Sequence, residues 1–227
     1  MTNWTAQENQ VTLRSAMNHR LNIGDPAPEA GPALRISNIV YGRQPRGNRV
    51  TYLVHPRGQG QERAVPETVV LKRWRARKAS AYRFGGCRLS STLWRAVALS
   101  FKQAPEALTA LSVAEIQAVT NASETIRAPE NLRLPPAEAL RVMFEVIGGS
   151  SLKKLIARHA APERGNRSGV PDLFLYALSN DGHPAFARFV EVKKPDELVR
   201  TDQAAEIDFM KSLGLQVRVL RLIERSS

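Results

Sequence analysis

The C-terminal third of the chain alternates short apolar runs with polar turns in an order that predicts two paired strands, a helix and a further strand. GVPDLFLYAL is rich in strand formers and bounded by turn residues, which predicts a strand beginning near Asp172. The SNDGHP that follows contains Asp181-Gly182, a hairpin signal, and leads into FARFVEVK, so the two runs pair antiparallel. A helix is expected from about Thr201 to Leu213, closed by Gly214, with QVRVLRLI as one more strand. Upstream the period changes to that of helices. PPAEALRVMFEVIGG has prolines at its start and glycines just past its end, the usual asymmetry of a helix, and SSLKKLIARHA repeats the pattern. SVAEIQAV carries Ser112 and Glu115 in capping-box spacing. SSTLWRAVALSF places Leu93, Val97 and Leu99 at helical spacing from about Ser91, and Glu67 to Arg77 also reads as helix. ISNIVYG and RVTYLV, separated by the turn-like RQPRGN, predict a strand pair. Residues 1 to about 22 read as a short polar helix, and GDPAPEAGPA as a linker too rich in Pro and Gly to extend it. The expected organisation is an N-terminal helix and linker over 1–33, then a single α/β domain over 34–227 with its core at about 134–225.

Composition narrows the class. A chain of 227 residues, 43% hydrophobic, can bury one substantial core, and no apolar run approaches the length of a membrane span. No membrane partner is expected. MTNWTAQENQ has neither a basic n-region nor an apolar h-region, so no Sec-type signal is expected. The single cysteine, Cys87, excludes an internal disulfide and fits a reducing, cytoplasmic setting.

Charge points to a polyanion. There are 33 Lys+Arg against 21 Asp+Glu, a formal +12. From Leu71 to Arg88 stand seven basic residues, Lys72, Arg73, Arg75, Arg77, Lys78, Arg83 and Arg88, and no acid, with Trp74, Tyr82 and Phe84 among them. Cations for phosphates and rings for bases are the ingredients of a nucleic-acid surface. The plainer reading is a solvated helix face whose rings belong to the core.

The candidate chemistry lies on the strand pair. Alternate residues of a strand share a face, so Glu191 and Lys193 point one way and Val190 and Val192 the other. A carboxylate and an ammonium on a core strand, beside a partner strand opening with Asp172, are costly unless they pair or bind a metal. Asp172 and Glu191 offer hard oxygen ligands suited to Mg²⁺ or Mn²⁺, the Val192 carbonyl adds a third, and Lys193 stands where it can hold an attacking water. Other chemistries find little support. His19, His55, His159 and His183 are scattered without metal-ligand spacing and read as surface or loop residues, Cys87 reads as a small buried hydrophobe, and neither GRQPRGN nor HPRGQGQ has a phosphate-loop pattern.

Pro171-Asp172 followed by Glu191-Val192-Lys193 is the PD-(D/E)xK arrangement of restriction-endonuclease-like nucleases. Arg167-Ser-Gly169-Val-Pro171-Asp172-Leu173, then FVEVKKPDELVRTDQ, a helix, Gly214 and VRVLRL together resemble the virus-type replication-repair nuclease domain, VRR-NUC, over about sixty residues. IGGSSLKKLIARHA and the arginine-rich approach to the strand are similar to the C-terminal nuclease region of Fanconi-associated nucleases. The resemblance implies a restriction-endonuclease-like core, a mixed β-sheet flanked by helices, and a metal-dependent phosphodiesterase acting on branched, flapped or double-stranded DNA. It implies Asp172, Glu191 and Lys193 as catalytic core and Gln203 as a supporting glutamine, with Arg167 and Lys194 flanking the site as DNA contacts beside the α-helical cluster. Members usually carry a further glutamate on an early helix. Aligned there, this chain reads Phe84-Gly85-Gly86-Cys87, with no acid, and Glu67, Glu138 and Glu145 are the alternatives, the last two reading better as solvated helix charges. Such domains serve in DNA repair and in antibacterial effectors, so delivery into a target-cell cytoplasm, with an immunity protein as partner, is the second setting the resemblance allows.

Overall fold

The computed structural model describes residues 40–46, 49–54, 62–63, 65–100, 132–160, 169–194, 197–221 and 223–224. The expected N-terminal helix, the linker and the Ser112-capped helix lie outside these residues.

The central sheet has four strands, β4 (Arg83–Arg88), β5 (Leu173–Leu178), β6 (Pro184–Lys193) and β7 (Val217–Arg221), in that spatial order. β4 with β5 and β5 with β6 are antiparallel, while β6 with β7 is parallel. It is therefore a mixed sheet, and helices cover both faces. α1 (Pro66–Arg75) lies on one face, where Val69, Val70 and Trp74 pack with Leu173, Leu175, Ala177, Val190 and Val192. On the other, α2 (Leu93–Ser100), α3 (Ala137–Ala160) and α4 (Thr201–Ser212) pack around Phe174, Tyr176, Phe189, Val217 and Val219. All six residues of β5 are buried, which is why its sequence is a continuous apolar run and not an alternating one.

Local chemistry explains these elements. α1 has proline in its first turn, Glu67 at its positive end and Lys72, Arg73 and Arg75 at its negative end. The two helices expected on either side of Gly148-Gly149 follow one another as α3, broken at Gly148 (φ 71, ψ 155), a conformation that glycine adopts without a Cβ penalty. α4 stops at Gly214 (φ 82), as expected. Among the described residues, no helix is long and apolar enough to cross a membrane.

Three elements differ from the reading of the sequence. RFGGCR, which carries no alternation, forms β4. Gly85 is what lets it sit there, because a Cβ at that position would lie 2.3–2.6 Å from the Tyr176 ring. QVRVLRLI divides into β7 and β8 (Ile223–Glu224), and β8 leaves the central sheet to join a second one of order β3-β2-β1-β8, with β1 (Val40–Arg46), β2 (Arg49–Val54) and β3 (Glu62–Arg63). The expected strand pair is present as β1 and β2, but β1 runs on through the turn-like RQPR to pair Arg46 with Arg49.

Candidate active site

The pairing of Leu173 with Val190 fixes the site, since one step further along both strands sets Asp172 opposite Glu191. Val190 and Val192 belong to the core beneath α1, so Glu191 and Lys193 face α4, as alternation requires. Both are almost wholly buried, at 1% and 2% exposure. Lys193 Nζ lies 2.8 Å from Glu191 Oε1, donates to Gln203 Oε1 at 2.9 Å and reaches Glu197 Oε1 at 3.4 Å. Gln203, in the first turn of α4, completes the arrangement by donating Nε2–H to Glu191 Oε1 at 2.5 Å. Its own Oε1 also accepts from the Arg200 backbone N–H at 3.1 Å, so the same side chain caps α4 and bridges the ion pair. On the other side, Asp172 Oδ2 accepts from the Val192 N–H at 2.8 Å. The N–H and C=O of one strand residue point to the same neighbour, so the Val192 carbonyl also faces the end of β5, where Asp172 stands.

The electrostatics of this cluster are those of acids held close together with little water. Burial first, and Asp172 second, push the Glu191 carboxyl up to about 7 from an ordinary 4.5, against the pull of Lys193. Asp172 is also raised, first by burial and further by Glu67 and Glu197, against the Val192 hydrogen bond and Lys193. One Glu191 oxygen, Oε2, is buried with no hydrogen-bond partner, and so is Oε2 of Glu67. An orphaned carboxylate oxygen inside a protein is expensive, and the site holds two.

Of the three alternative acids, Glu67 is the one whose charge acts on Asp172. The segment Phe84-Gly85-Gly86-Cys87 is a core strand and not a helix, with Gly86 against the Phe174 carbonyl. The first turn of α1 brings Glu67 close enough for its charge to raise Asp172. Sequence order alone could not separate it from the other two candidates. Glu138 pairs with Arg83 at 2.6 Å and accepts from the Tyr176 hydroxyl at 2.7 Å, and Glu145 pairs with Arg141 at 3.0 Å, so both are helix charges away from the site. Glu197 is a contributor that sequence reading missed, and its place four residues after Lys193 was the available signal.

The basic cluster is divided. Lys72, Arg73, Arg75, Arg77 and Lys78 occupy the second half of α1 and the residues just after it, and Arg88 is exposed at the end of β4. Arg75, Arg77, Lys78, Tyr82 and Phe84 line a shallow open depression beside the C-terminal end of α1, whereas Glu67 is in its first turn. Trp74, however, is fully buried, with its indole N–H donated to the carbonyls of Gly85 at 2.8 Å and Tyr176 at 3.0 Å. It is a core ring and not a platform for bases. Arg77 lies 5.0 Å above it and 5.5 Å from Phe84. Lys194 follows Lys193 at the end of β6, partly exposed, while Arg167 lies outside the described residues.

Two residues read as unremarkable are placed as follows. Cys87 is buried, and burial pushes its thiol up to about 12, which suits a small hydrophobe. His159 is not a surface residue: its side chain is 7% exposed and its Nε2 lies 2.8 Å from Glu206 Oε1. His183 is exposed, as expected, and His19 and His55 lie outside the described residues.

Comparison with known proteins places this geometry. Residues 114–222 match the family model of the VRR-NUC domain. No curated protein matches the chain. Among solved structures, the chain is similar to paFAN1 bound to DNA with a two-nucleotide 5′ flap and a gap, at 15% identity and a TM-score of 0.49, covering 72% of this chain and 36% of that one. It is similar also to paFAN1 bound to DNA with a one-nucleotide 5′ flap and a gap, at 13% identity and a TM-score of 0.49, covering 100% of this chain and 45% of that one. The chain spans less than half the length of these neighbours. The paired acids and the lysine at the β5–β6 strand ends and the glutamine of α4 all fall within residues 114–222, the stretch that matches the VRR-NUC domain.

Proposed function

We propose that this protein is a divalent-metal-dependent deoxyribonuclease of the PD-(D/E)xK type, with Mg²⁺ or Mn²⁺ held by Asp172, Glu191 and the Val192 carbonyl, and with Glu67 as the early-helix acid. The observation that carries the reading is the buried, unpartnered Oε2 of Glu191 beside Asp172, two acids whose repulsion a cation would relieve. Among the described residues no three acidic, histidine or cysteine side chains stand close enough to cage an ion by themselves. That donor set suits Mg²⁺ or Mn²⁺, which take hard oxygens and leave positions for water and a substrate phosphate, and does not suit Zn²⁺.

Bound there, the ion would supply Lewis-acid stabilisation of the charge that builds up on the phosphate under attack. The protein's own groups do the rest. Lys193 presents an ammonium beside Glu191 and holds the attacking water in its deprotonated form. Gln203 keeps Lys193 and Glu191 in register by bonding both. Lys72, Arg73, Arg75, Arg77, Lys78, Arg88 and Lys194, with Arg167, neutralise phosphates of DNA, for which double-stranded, flapped or branched forms are the candidates. The protein would work in the cytoplasm, either of its own cell in repair or of a target cell as an effector countered by an immunity protein.

The test is incubation of the purified protein with linear, flapped and supercoiled DNA in Mn²⁺ or Mg²⁺. Cleavage that disappears with chelator and in Asp172→Ala and Lys193→Ala is the expected outcome; wild-type protein inert on all three substrates overturns the reading. Expression in growing cells then separates the settings, with DNA breakage and killing relieved by a co-expressed neighbouring protein marking an effector. A second reading, a DNA-binding module that keeps the fold without activity, rests on the glycine at position 86, and salt-sensitive DNA binding with no metal-dependent cutting selects it.

A further inference from the structure

Behind the site lies a second buried acid that the chemistry does not use. Glu206, on α4, has no exposed surface. Its Oε2 accepts from Arg158 Nε at 3.0 Å, and its Oε1 lies 2.8 Å from His159 Nε2. Arg158 fastens the same helix twice more, donating Nη2–H to the Ala205 carbonyl at 3.2 Å and stacking 4.3 Å from the Phe209 ring. Both partners come from the last turn of α3. Glu206 stands three residues after Gln203, hence on the same side of α4. The chain leading to Asp172 rests on this part of the helix too. At Gly169 (φ 64), three residues before Asp172, a Cβ would lie 2.5 Å from the Asp202 carbonyl and 3.0 Å from the Glu206 Cβ.

We propose that Glu206 is a positioning residue for the cleavage site: by locking α4 onto the end of α3 and beneath Gly169, it sets the depth and rotation of the helix that delivers Gln203 to Glu191 and Lys193. The consequence for activity rests on the nuclease reading above, whereas the consequence for geometry does not. Apart from Gln203 itself, α4 packs on the sheet with apolar side chains such as Ile207 and Met210, which tolerate sliding, whereas a carboxylate with two directed partners does not. Gly169→Ala should disturb the same seating from the opposite side, because its methyl group must displace α4 backbone.

Two measurements test this. The side-chain amide resonances of Gln203 report its contact with Glu191 in the metal-free protein, and are expected to be shifted and slowly exchanging in wild type and to move toward free-glutamine values in Glu206→Leu and Gly169→Ala. Glu206→Gln, which keeps the shape and the bond from Arg158, should fall between, and serves if Glu206→Leu does not fold. Single-turnover cleavage should drop about tenfold or more in Glu206→Leu with DNA affinity unchanged, and the same change on a Gln203→Ala background should cost less than about twofold, since the effect passes through Gln203. Wild-type Gln203 resonances retained in folded Glu206 and Gly169 variants, or equal losses on both backgrounds, would overturn the proposal. A wild-type protein that cuts no DNA overturns the nuclease reading and leaves the resonance test standing.

Discussion

Glu191 and Glu206 are both buried, and both sit beside basic side chains against α4, yet they are built differently. Glu206 has a partner on each oxygen, supplied by Arg158 and His159 from one helix end. Glu191 has Lys193 and Gln203 on a single oxygen, no hydrogen bond on the other, and a second acid, Asp172, across the strand. Burying a carboxylate costs several kcal/mol, and a protein offsets that cost by satisfying the group, as at Glu206. Where the cost is left standing on one oxygen, that oxygen is available to something that is not protein. The two glutamates therefore separate a satisfied buried carboxylate from an unsatisfied one within one helix's reach, and removing each should have opposite signatures.

The largest expected effect is on catalysis at the unsatisfied site. Glu191→Ala, Asp172→Ala or Lys193→Ala should lower cleavage by about 10³-fold or more, since the proposed reading sets each group directly on the reacting atoms, while DNA affinity in chelator stays within about threefold. Glu206→Leu should instead show itself first in stability. Removing one member of a buried, hydrogen-bonded cluster costs about 3–5 kcal/mol, because Arg158 is left facing an apolar side chain, and denaturant titration of the metal-free protein measures it. Equal stability losses at both glutamates would erase the distinction.

This contrast also shows what the chain discloses about itself. Asp172, Glu191 and Lys193 were legible because strand alternation and a hairpin signal fix which residues face each other, so a one-dimensional pattern carries the geometry. Gln203 was legible only through the family resemblance. Glu67 was one of three candidates that local sequence cannot rank, because its approach to Asp172 depends on how α1 lies across the sheet. The burial of His159 and Glu206 was invisible for a related reason: their contact joins positions 47 residues apart on two helices, and helical spacing says nothing about which helices touch. β4 was missed since RFGGCR lacks alternation, and Gly85 is there for the Tyr176 ring and not for a turn. Trp74 was read correctly only under the plainer of two alternatives, its ring being spent on the core.

A smaller effect distinguishes the sites by pH. The folded-state value of Glu191, about 7, lies above its unfolded value, about 4.5, so the folded protein holds this proton more tightly. The resulting stabilisation is complete below about pH 4.5 and is lost as pH rises to about 7, a loss on the order of 3 kcal/mol if no cation is present. Asp172, raised as well, acts in the same direction. A divalent cation should reverse this, so Mn²⁺ is expected to raise Tm by several degrees at pH 8 and by little at pH 5. The Asp172→Ala and Glu191→Ala proteins should lose that dependence, while Glu206→Gln should keep it. A cation shift of the same size at both pH values would place the ion elsewhere.

The smallest expected effect concerns the basic surface at the end of α1. Arg73, Arg75 and Arg77 lie along the end of α1 opposite Glu67, so they can meet phosphates of the same DNA without touching the reacting one. Changing all three to Ala should weaken DNA binding by about tenfold for every one or two phosphates no longer neutralised near physiological salt, and lower the slope of log K against log salt by about one to three. The three should not contribute equally. Arg75 already donates to the Gly86 carbonyl at 2.5 Å, which spends part of its guanidinium on the sheet. Arg77 is stacked beside Trp74 and Phe84, where burial lowers its pKa. A guanidinium held by rings loses less freedom when it meets a phosphate, so Arg77→Ala should account for the largest share of the loss and Arg77→Lys should not restore it. Cleavage measured at saturating DNA should remain near wild type in all of these proteins, because the acids of the site are untouched. Unchanged affinity in the triple variant would mean that DNA approaches Asp172 and Glu191 from a side other than α1.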